Sequence, residues 1–367
     1  MKDSLAVHRD KSIDIIKGIG IASIVIGHSC VRARVFDLAI PIGPFVYTYH
    51  IMIFLFVAGL LIDHKKYNDR KYRYEKLGKQ FCRLAGMFFC YNCLFVMAHN
   101  LFISVGIING TVYTAQEAVK NIVNGLTLQS GEILLGAFWF IPMFLLSKII
   151  FAMLYGIDIA KKEEIKLVLI SLICGACGSM LCFWDISLSY HLQIALLLVP
   201  FICLGMIVSK YRKSIDRIIN RWVWIIAAAL LAIYIALNKS FDLSASIIVN
   251  PAIFYIISLI GVVFCYSLAK MLCGSKKLGG FFGLAGRYCF HIMALHFLVI
   301  KIIDKVYSII YGINDTVTVT KFPYAFSGRL WLLYIVFGVV VPIIIVKYGG
   351  SFYKNIRKRY GRGKVLS

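Results

Sequence analysis

Residues 9–30 read RDKSIDIIKGIGIASIVIGHSC, and the rest of the chain is read outward from them. The stretch is apolar enough to enter a bilayer. It nevertheless carries Asp14 and Lys17 near one end and His28 near the other. An ionisable side chain inside a spanning helix is costly, so it points to function by default. Lys17 and His28 are eleven residues apart, about three helical turns plus roughly 20°. They therefore share a face, with Cα atoms about 16 Å apart along the axis. Gly18, Gly20, Ala22, Ser23 and Gly27 lie between them, and small residues let neighbouring backbones approach closely. Two accounts stand at this point. Asp14 and Lys17 can pair and snorkel at one interface while His28 sits at the other, or the shared face can be a site.

The composition assigns the class. Of 367 residues, 60% are hydrophobic, mean hydropathy is +0.82, and the apolar residues come in long runs. The expected fold class is all-α, a polytopic integral membrane protein. An outer-membrane barrel would show short alternating segments instead. The first apolar run holds two charges and lacks an A-x-A site, so it is expected to be retained rather than cleaved. The eleven cysteines are scattered, mostly in apolar runs. Cys90–Cys93 and Cys174–Cys177 read as C-x-x-C, but neither has a second pair or a histidine at zinc spacing, so no metal is expected.

Ten segments are long enough to cross a bilayer, which takes about 20 helical residues: 13–30, 44–62, 84–108, 133–155, 165–183, 190–209, 222–237, 250–269, 288–310 and 329–346. They form one expected transmembrane domain over 1–367, with a helical core over 1–346 and a basic tail over 347–367. The formal net charge is +23. The N-terminus, 63–83, 156–166, 209–221, 270–287 and the C-terminus hold 30 of the 40 Lys and Arg residues, and the opposite loops hold 5. That asymmetry puts both termini in the cytoplasm and accounts for the charge without nucleic acid. The expected location is the cell membrane, crossed many times.

The first basic loop, DHKKYNDRKYRYEKLGKQFCR, exceeds what topology requires. Its Arg70, Arg73, Lys76, Lys79 and Arg83 can hold anionic lipid head groups or a phosphorylated ligand. The second span, PFVYTYHIMIFLFVAGLLI, places His50 about 9 Å below Pro44, at a depth similar to that of His28. The fourth carries WFIPMFLLSK with Trp139 toward the outside. The loop before it, TAQEAVKNIVNGLTLQSGE, has the spacing of a surface amphipathic helix. The ninth places His296 near mid-membrane, with Lys301, Asp304 and Lys305 at i, i+3 and i+4, a spacing for pairing near the outer interface. His99 and His191 have no identifiable partner and read as structural.

Taken in order, these stretches resemble the integral-membrane acyltransferase family 3 proteins. Their first span has a basic residue, ten residues and a His, here Lys17-x10-His28 preceded by Asp14. YHIMIFLFVAGLLI is similar to their second span, WFIPMFL to their W-F-L segment, and YCFHIMALHFL to their late Y-L-L-H segment, which places His296. The chain departs from the pattern at Ala58-Gly59, where Ser-Gly is usual, and lacks a Pro after His50. Where the family carries Arg-x-x-Arg this chain has KQFCRL, with Gln80 in the first Arg position, and a literal Arg70-x-x-Arg73 lies ten residues earlier.

The resemblance implies O-acylation of an extracytoplasmic glycan or lipid-linked saccharide from a cytoplasmic acyl-CoA, acetyl-CoA by default. It implies catalytic roles at His28, Lys17, His50, Asp14, His296 and Trp139, with His28 as base. Asp14 is about 21 Å from His28 along the helix, too far to orient it, so His50 or a water is expected in that role. Donor binding is expected at Lys17, Lys76, Lys79, Arg83, Arg70 and Arg73. The expected partners are the bilayer, the donor and the saccharide acceptor. A transporter or flippase of a polysaccharide precursor would place the same charges along a pathway. A structural or sensor subunit would tolerate apolar residues at positions 17 and 28.

The charge split makes a topology prediction. Single cysteines at Asn109, Asn238 and Asn314 react with an impermeant thiol reagent added outside intact cells, and those at Asn68 and Ser214 do not. The reverse pattern overturns the orientation.

Overall fold

The computed structural model describes residues 10–30, 33–35, 38–237, 241–248 and 250–361. Asn238, one of the labelling positions above, lies outside them, as do residues 1–9 and 362–367 of the expected basic termini. Asp10 starts the first helix, α1 (Lys11–Ser29). Its carboxylate accepts from the Ser12 N–H at 2.9 Å and from the Ser12 hydroxyl at 2.7 Å, satisfying a donor that a helix start leaves open. A three-residue hairpin follows, β1 (Ala33–Val35) paired antiparallel with β2 (Leu38–Ile40).

The second expected span is broken. It consists of α2 (Ile42–Tyr47) and α3 (Met52–Leu60), and His50 sits in the turn between them. Broken backbone at membrane depth is tolerated where protein buries it or a cavity takes it up. Here the His50 Nδ1–H donates to the Val46 carbonyl at 3.1 Å.

After a short α4 (His64–Tyr67), α5 runs from Arg70 to Ser104. The stretch 63–83 is therefore largely helix rather than loop, a correction to the sequence expectation. The thirty-five residues of α5 span about 52 Å, so this helix projects beyond the bilayer on its basic side. The expected amphipathic segment is α6 (Ala115–Leu126), opened by a capping box between Thr114 and Glu117, with Val119, Val123 and Leu126 exposed. A 3₁₀ turn over Ile133–Trp139 leads into α7 (Phe140–Tyr155).

The remaining helices are α8 (Glu163–Phe183), α9 (Leu192–Lys210), α10 (Arg212–Ile218), α11 (Arg221–Ala236), α12 (Pro251–Cys273), α13 (Lys276–Arg287), α14 (Cys289–Ile310), α15 (Thr316–Val319) and α16 (Ser327–Gly361). Eight described helices or helix runs are long and apolar enough to cross a membrane, and the pair α10 and α11, bent by 77°, makes a ninth if taken as one span. The expected ninth span is α14, a 22-residue helix that holds Lys301, Asp304 and Lys305. The protein is an all-α polytopic membrane protein.

The segments sort to two ends. At the basic end Arg212 pairs with Asp10 and donates to the Ser12 hydroxyl at 2.8 Å. Lys210 reaches Glu163 at 3.1 Å and Glu164 at 2.7 Å, His64 meets Glu163 at 3.1 Å, and Lys270 meets Asp216 at 2.6 Å. At the other end Gln193 joins Leu188 to Ser246. There Lys301 and Asp304 form a buried pair at 2.7 Å. Lys301 also donates to the carbonyls of Val319 at 2.6 Å and Lys321 at 2.9 Å. Asp304 accepts from the Ala325 N–H at 3.0 Å and from the Tyr334 hydroxyl. The expected pairing thus includes Lys301 and Asp304 but lies buried rather than at the interface, because the segment 319–326 closes over it. Lys305 lines a cleft beside Gly106 and Ser308 instead.

Helix α1 lies at the centre, against α2, α3, α12, α13, α14 and α16. Its tightest partner is α13, which the sequence presented as part of a loop. A Cβ on Gly18 would strike the Phe282 carbonyl, and one on Gly286 would strike the Asp14 carbonyl. The two backbones touch because those positions are glycine. Gly286→Val is expected to cost at least about 1–3 kcal/mol, the range for overpacking, and to lower the melting temperature in detergent. Gly280→Ala, on the same helix with nothing within 4 Å of its Cβ, leaves it unchanged. Equal melting for both variants refutes the contact.

Candidate active site

One stripe of α1 organises the site. Lys17, Ile21, Ile24 and His28, at helical spacing, all face open volume. Toward the basic end Lys17, Ile21 and Ile24 line a cavity of about 350 Å³. Lys17 pairs with buried Asp14 at 2.9 Å. Around the same cavity stand Arg83 of α5, Lys148 of α7 and Arg287 of α13, on walls of Phe54, Val57, Phe144 and Phe290. Lys148 donates to the Gln80 side-chain oxygen, and its ammonium sits 5.7 Å from the Phe144 ring centre. Arg83 and Gln80 also border a second hollow of about 390 Å³ with Lys76 and Lys79, so the cavity continues into a basic mouth. Cations gathered on low-dielectric walls attract an anion and hold it.

Toward the opposite end Ile24 and His28 line a cleft of about 40 Å³ with Tyr47, His50, Trp139 and Asp242. The His28 ring lies 5.5 Å from that of His296 and 4.9 Å from Phe297. His296 is fully buried, and its Nδ1–H is shared between the Ile292 carbonyl at 3.1 Å and the Met293 carbonyl at 2.8 Å. A carbonyl only accepts, so Nδ1 carries the proton and Nε2 keeps a lone pair. That Nε2 has no hydrogen-bond partner among the described residues. The bond from His50 to Val46 fixes the same tautomer there. Tyr47 donates to the Gly27 carbonyl at 3.2 Å and stacks 4.9 Å from His50. Asp242 accepts from the Ser244 N–H at 2.9 Å and hydroxyl at 2.6 Å, a turn that sets both residues on the cleft.

The expected residues divide accordingly. His28, His50 and Trp139 meet in the cleft, and His296 stands behind His28. Lys17 and Arg83 meet in the basic cavity, while Lys76 and Lys79 stand at its mouth. Asp14 holds Lys17 and does not reach the cleft. Arg73 borders a small adjoining hollow with Lys76, Gln80 and Lys148. It is buried, donates to the Tyr67 carbonyl at 2.8 Å and lies over the rings of Tyr67, Tyr74 and Tyr155. Arg70 is exposed beside Tyr74. Arg70 borders neither the basic cavity nor its mouth, whereas the hollow beside Arg73 shares Ala58, Leu61, Gln80 and Lys148 with the cavity.

His99 does have partners. Its Nδ1 is 3.0 Å from Glu132 and its Nε2 is 3.2 Å from the Thr111 carbonyl, and it stacks on Tyr113 at 3.6 Å. His191 packs 4.8 Å from the Trp139 ring. Sequence reading missed Lys148, Arg287 and Asp242 as site residues. It also missed His291, which lines the basic cavity and bonds the Tyr91 hydroxyl at 2.8 Å.

A family model described as an acyltransferase domain matches residues 10–348. The chain belongs to acyltransferase family 3. No curated protein and no solved structure matches it. The match runs from the cap of α1 into α16, so both cavities of this acyltransferase lie within the family's own domain.

Proposed function

We propose that this acyltransferase moves an acyl group, by default acetyl, from cytoplasmic acyl-CoA to a hydroxyl of an extracytoplasmic glycan or lipid-linked saccharide. The observation that carries the reading is the pair of cavities on one stripe of α1, cationic at Lys17 and imidazole-lined at His28. Such an arrangement suits a polyanionic donor at one end and a neutral acceptor at the other. The charge asymmetry of the loops supports a cytoplasmic cationic end in a cell membrane.

In this reading Lys76, Lys79 and Arg83 hold donor phosphates at the mouth. The apolar wall of Ile21, Phe54 and Phe144 carries the donor's arm toward His28. The acceptor hydroxyl is a weak nucleophile, and His28 takes its proton as the oxygen attacks the acyl carbonyl. The C–O bond forms, the C–S bond breaks, and the proton passes to the departing thiolate. His50 and His296 hold the pocket's polarity in one sense, because each presents Nε2 as an acceptor. No metal takes part in this scheme. A flippase is the weaker reading, because the sequence shows neither inverted repeats nor a pair of broken helices in corresponding positions.

Arg83→Ala and Lys148→Met are each expected to weaken acyl-CoA binding about tenfold or more, as for a lost charge-assisted hydrogen bond. Arg70→Ala leaves binding unchanged. Calorimetry on purified protein checks this, and equal affinities throughout assign the cations to lipid. His28→Ala is expected to lower acyl transfer at least about a hundredfold while donor binding persists. His28→Gln is nearly as poor, since an amide cannot take the proton. Near-normal transfer by the Gln variant moves the base to His50 or His296.

A further inference from the structure

The basic cavity and the His28 cleft do not run into one another. They share three lining residues, Ile24, Phe140 and Met293, and no other described residue borders both. The three come from α1, α7 and α14, and all are buried. Ile24 lies one turn before His28 and about two turns after Lys17, on the face those residues share. Phe140 opens α7, its ring 5.6 Å from that of Phe54 and 5.5 Å from that of Phe144. Met293 precedes His296 by three residues, and its carbonyl takes part of the His296 Nδ1–H. A branched side chain and a braced ring make two stiff walls, while an unbranched Met can re-pack.

We infer that Ile24, Phe140 and Met293 form a septum that sets the largest acyl group this enzyme transfers. The inference rests on the acyl-transfer reading above. A thioester that arrives through the basic cavity has to bring its carbonyl carbon past these three side chains to reach His28. There the acceptor oxygen displaces the thiolate and the hydroxyl proton goes to the imidazole. The acyl group then stands in the cleft of about 40 Å³. A single water takes about 10–15 Å³ on that measure, so the cleft has room for a group of acetyl size. A longer chain meets Ile51, Ala137 and Phe241 on the facing walls. Donor selection by acyl length then follows from geometry at the septum, while the nucleotide end is bound the same way for every donor.

The test uses the purified full chain in proteoliposomes with acetyl-, butyryl- and hexanoyl-CoA. A cell-envelope glycan extract serves as acceptor, and release of free CoA thiol is followed. Wild type is expected to favour acetyl over butyryl by roughly tenfold or more, the discrimination an apolar pocket shows per methylene. Met293→Ala and Ile24→Val each raise the butyryl-to-acetyl ratio about tenfold with CoA affinity unchanged. Ile24→Phe narrows the septum, lowering acetyl transfer while CoA still binds. An unchanged ratio in folded, active Met293→Ala and Ile24→Val overturns the inference. Equal rates for acetyl and hexanoyl in wild type overturn it too and leave the acyl-transfer reading standing. No transfer from any donor by wild type refutes that reading, and the septum falls with it.

Discussion

Backbone rests directly on backbone where Gly18 of α1 meets Phe282 and where Gly286 of α13 meets Asp14. Within a membrane, helices gain little from burying apolar surface against one another, so close van der Waals contact carries the association. This contact does more than hold two helices. It sets the rotation of α1, and the rotation decides which side chains of that helix meet the cavities. With α13 seated, Lys17, Ile21, Ile24 and His28 turn toward open volume, and Arg287 and Gly286 close the basic cavity from below. A helix turned by a few tens of degrees would bury Lys17 against lipid or protein, where its charge is costly.

The two ends of the stripe are stabilised by different means. At the basic end, ion pairs among Asp10, Arg212, Asp216 and Lys270 tie α1, α10 and α12 together. At the other end a buried pair, Lys301 and Asp304, draws the segment 319–326 onto α14. Removing one partner of such a pair strands the other charge in a dry interior, a loss of about 3–5 kcal/mol. The pinned segment carries Phe322, whose ring lies 4.7 Å from Phe297, which in turn lies 4.9 Å from His28. That segment is thereby linked to the His28 imidazole through two aromatic rings.

Much of this was legible in the chain before its fold was known. The shared face of Lys17 and His28 followed from helical geometry alone, and the apolar runs located the helices. The motif order pointed to the family that the domain match shows. What stayed hidden had physical causes. Lys148 sits in an apolar run and reads as an interfacial lysine until Gln80 and Arg83 appear across the cavity from it. Asp242 belongs to a short loop without periodicity, and only the turn with Ser244 aims it at the cleft. The helix α13, rich in glycine, lacks a signal of its own because its stability comes from α1. Arg70 and Arg73 match an Arg-x-x-Arg pattern literally, yet Arg70 is exposed at the start of α5 and Arg73 turns inward onto the Tyr67 carbonyl, so neither lines the basic cavity. Local pattern finds elements; which faces meet is decided by tertiary packing.

In the proposed reaction, donor and acceptor are served from opposite faces along one stripe of α1. Proteoliposomes with a single known orientation test it most directly. Radiolabelled acetyl-CoA is placed on one side only and the glycan extract on the other, and label in the glycan is counted. Labelling is expected when acetyl-CoA is on the face of the basic loops, with none when the two compartments are exchanged and none for His28→Gln. Efficient labelling with donor and acceptor confined together on either single face would contradict it.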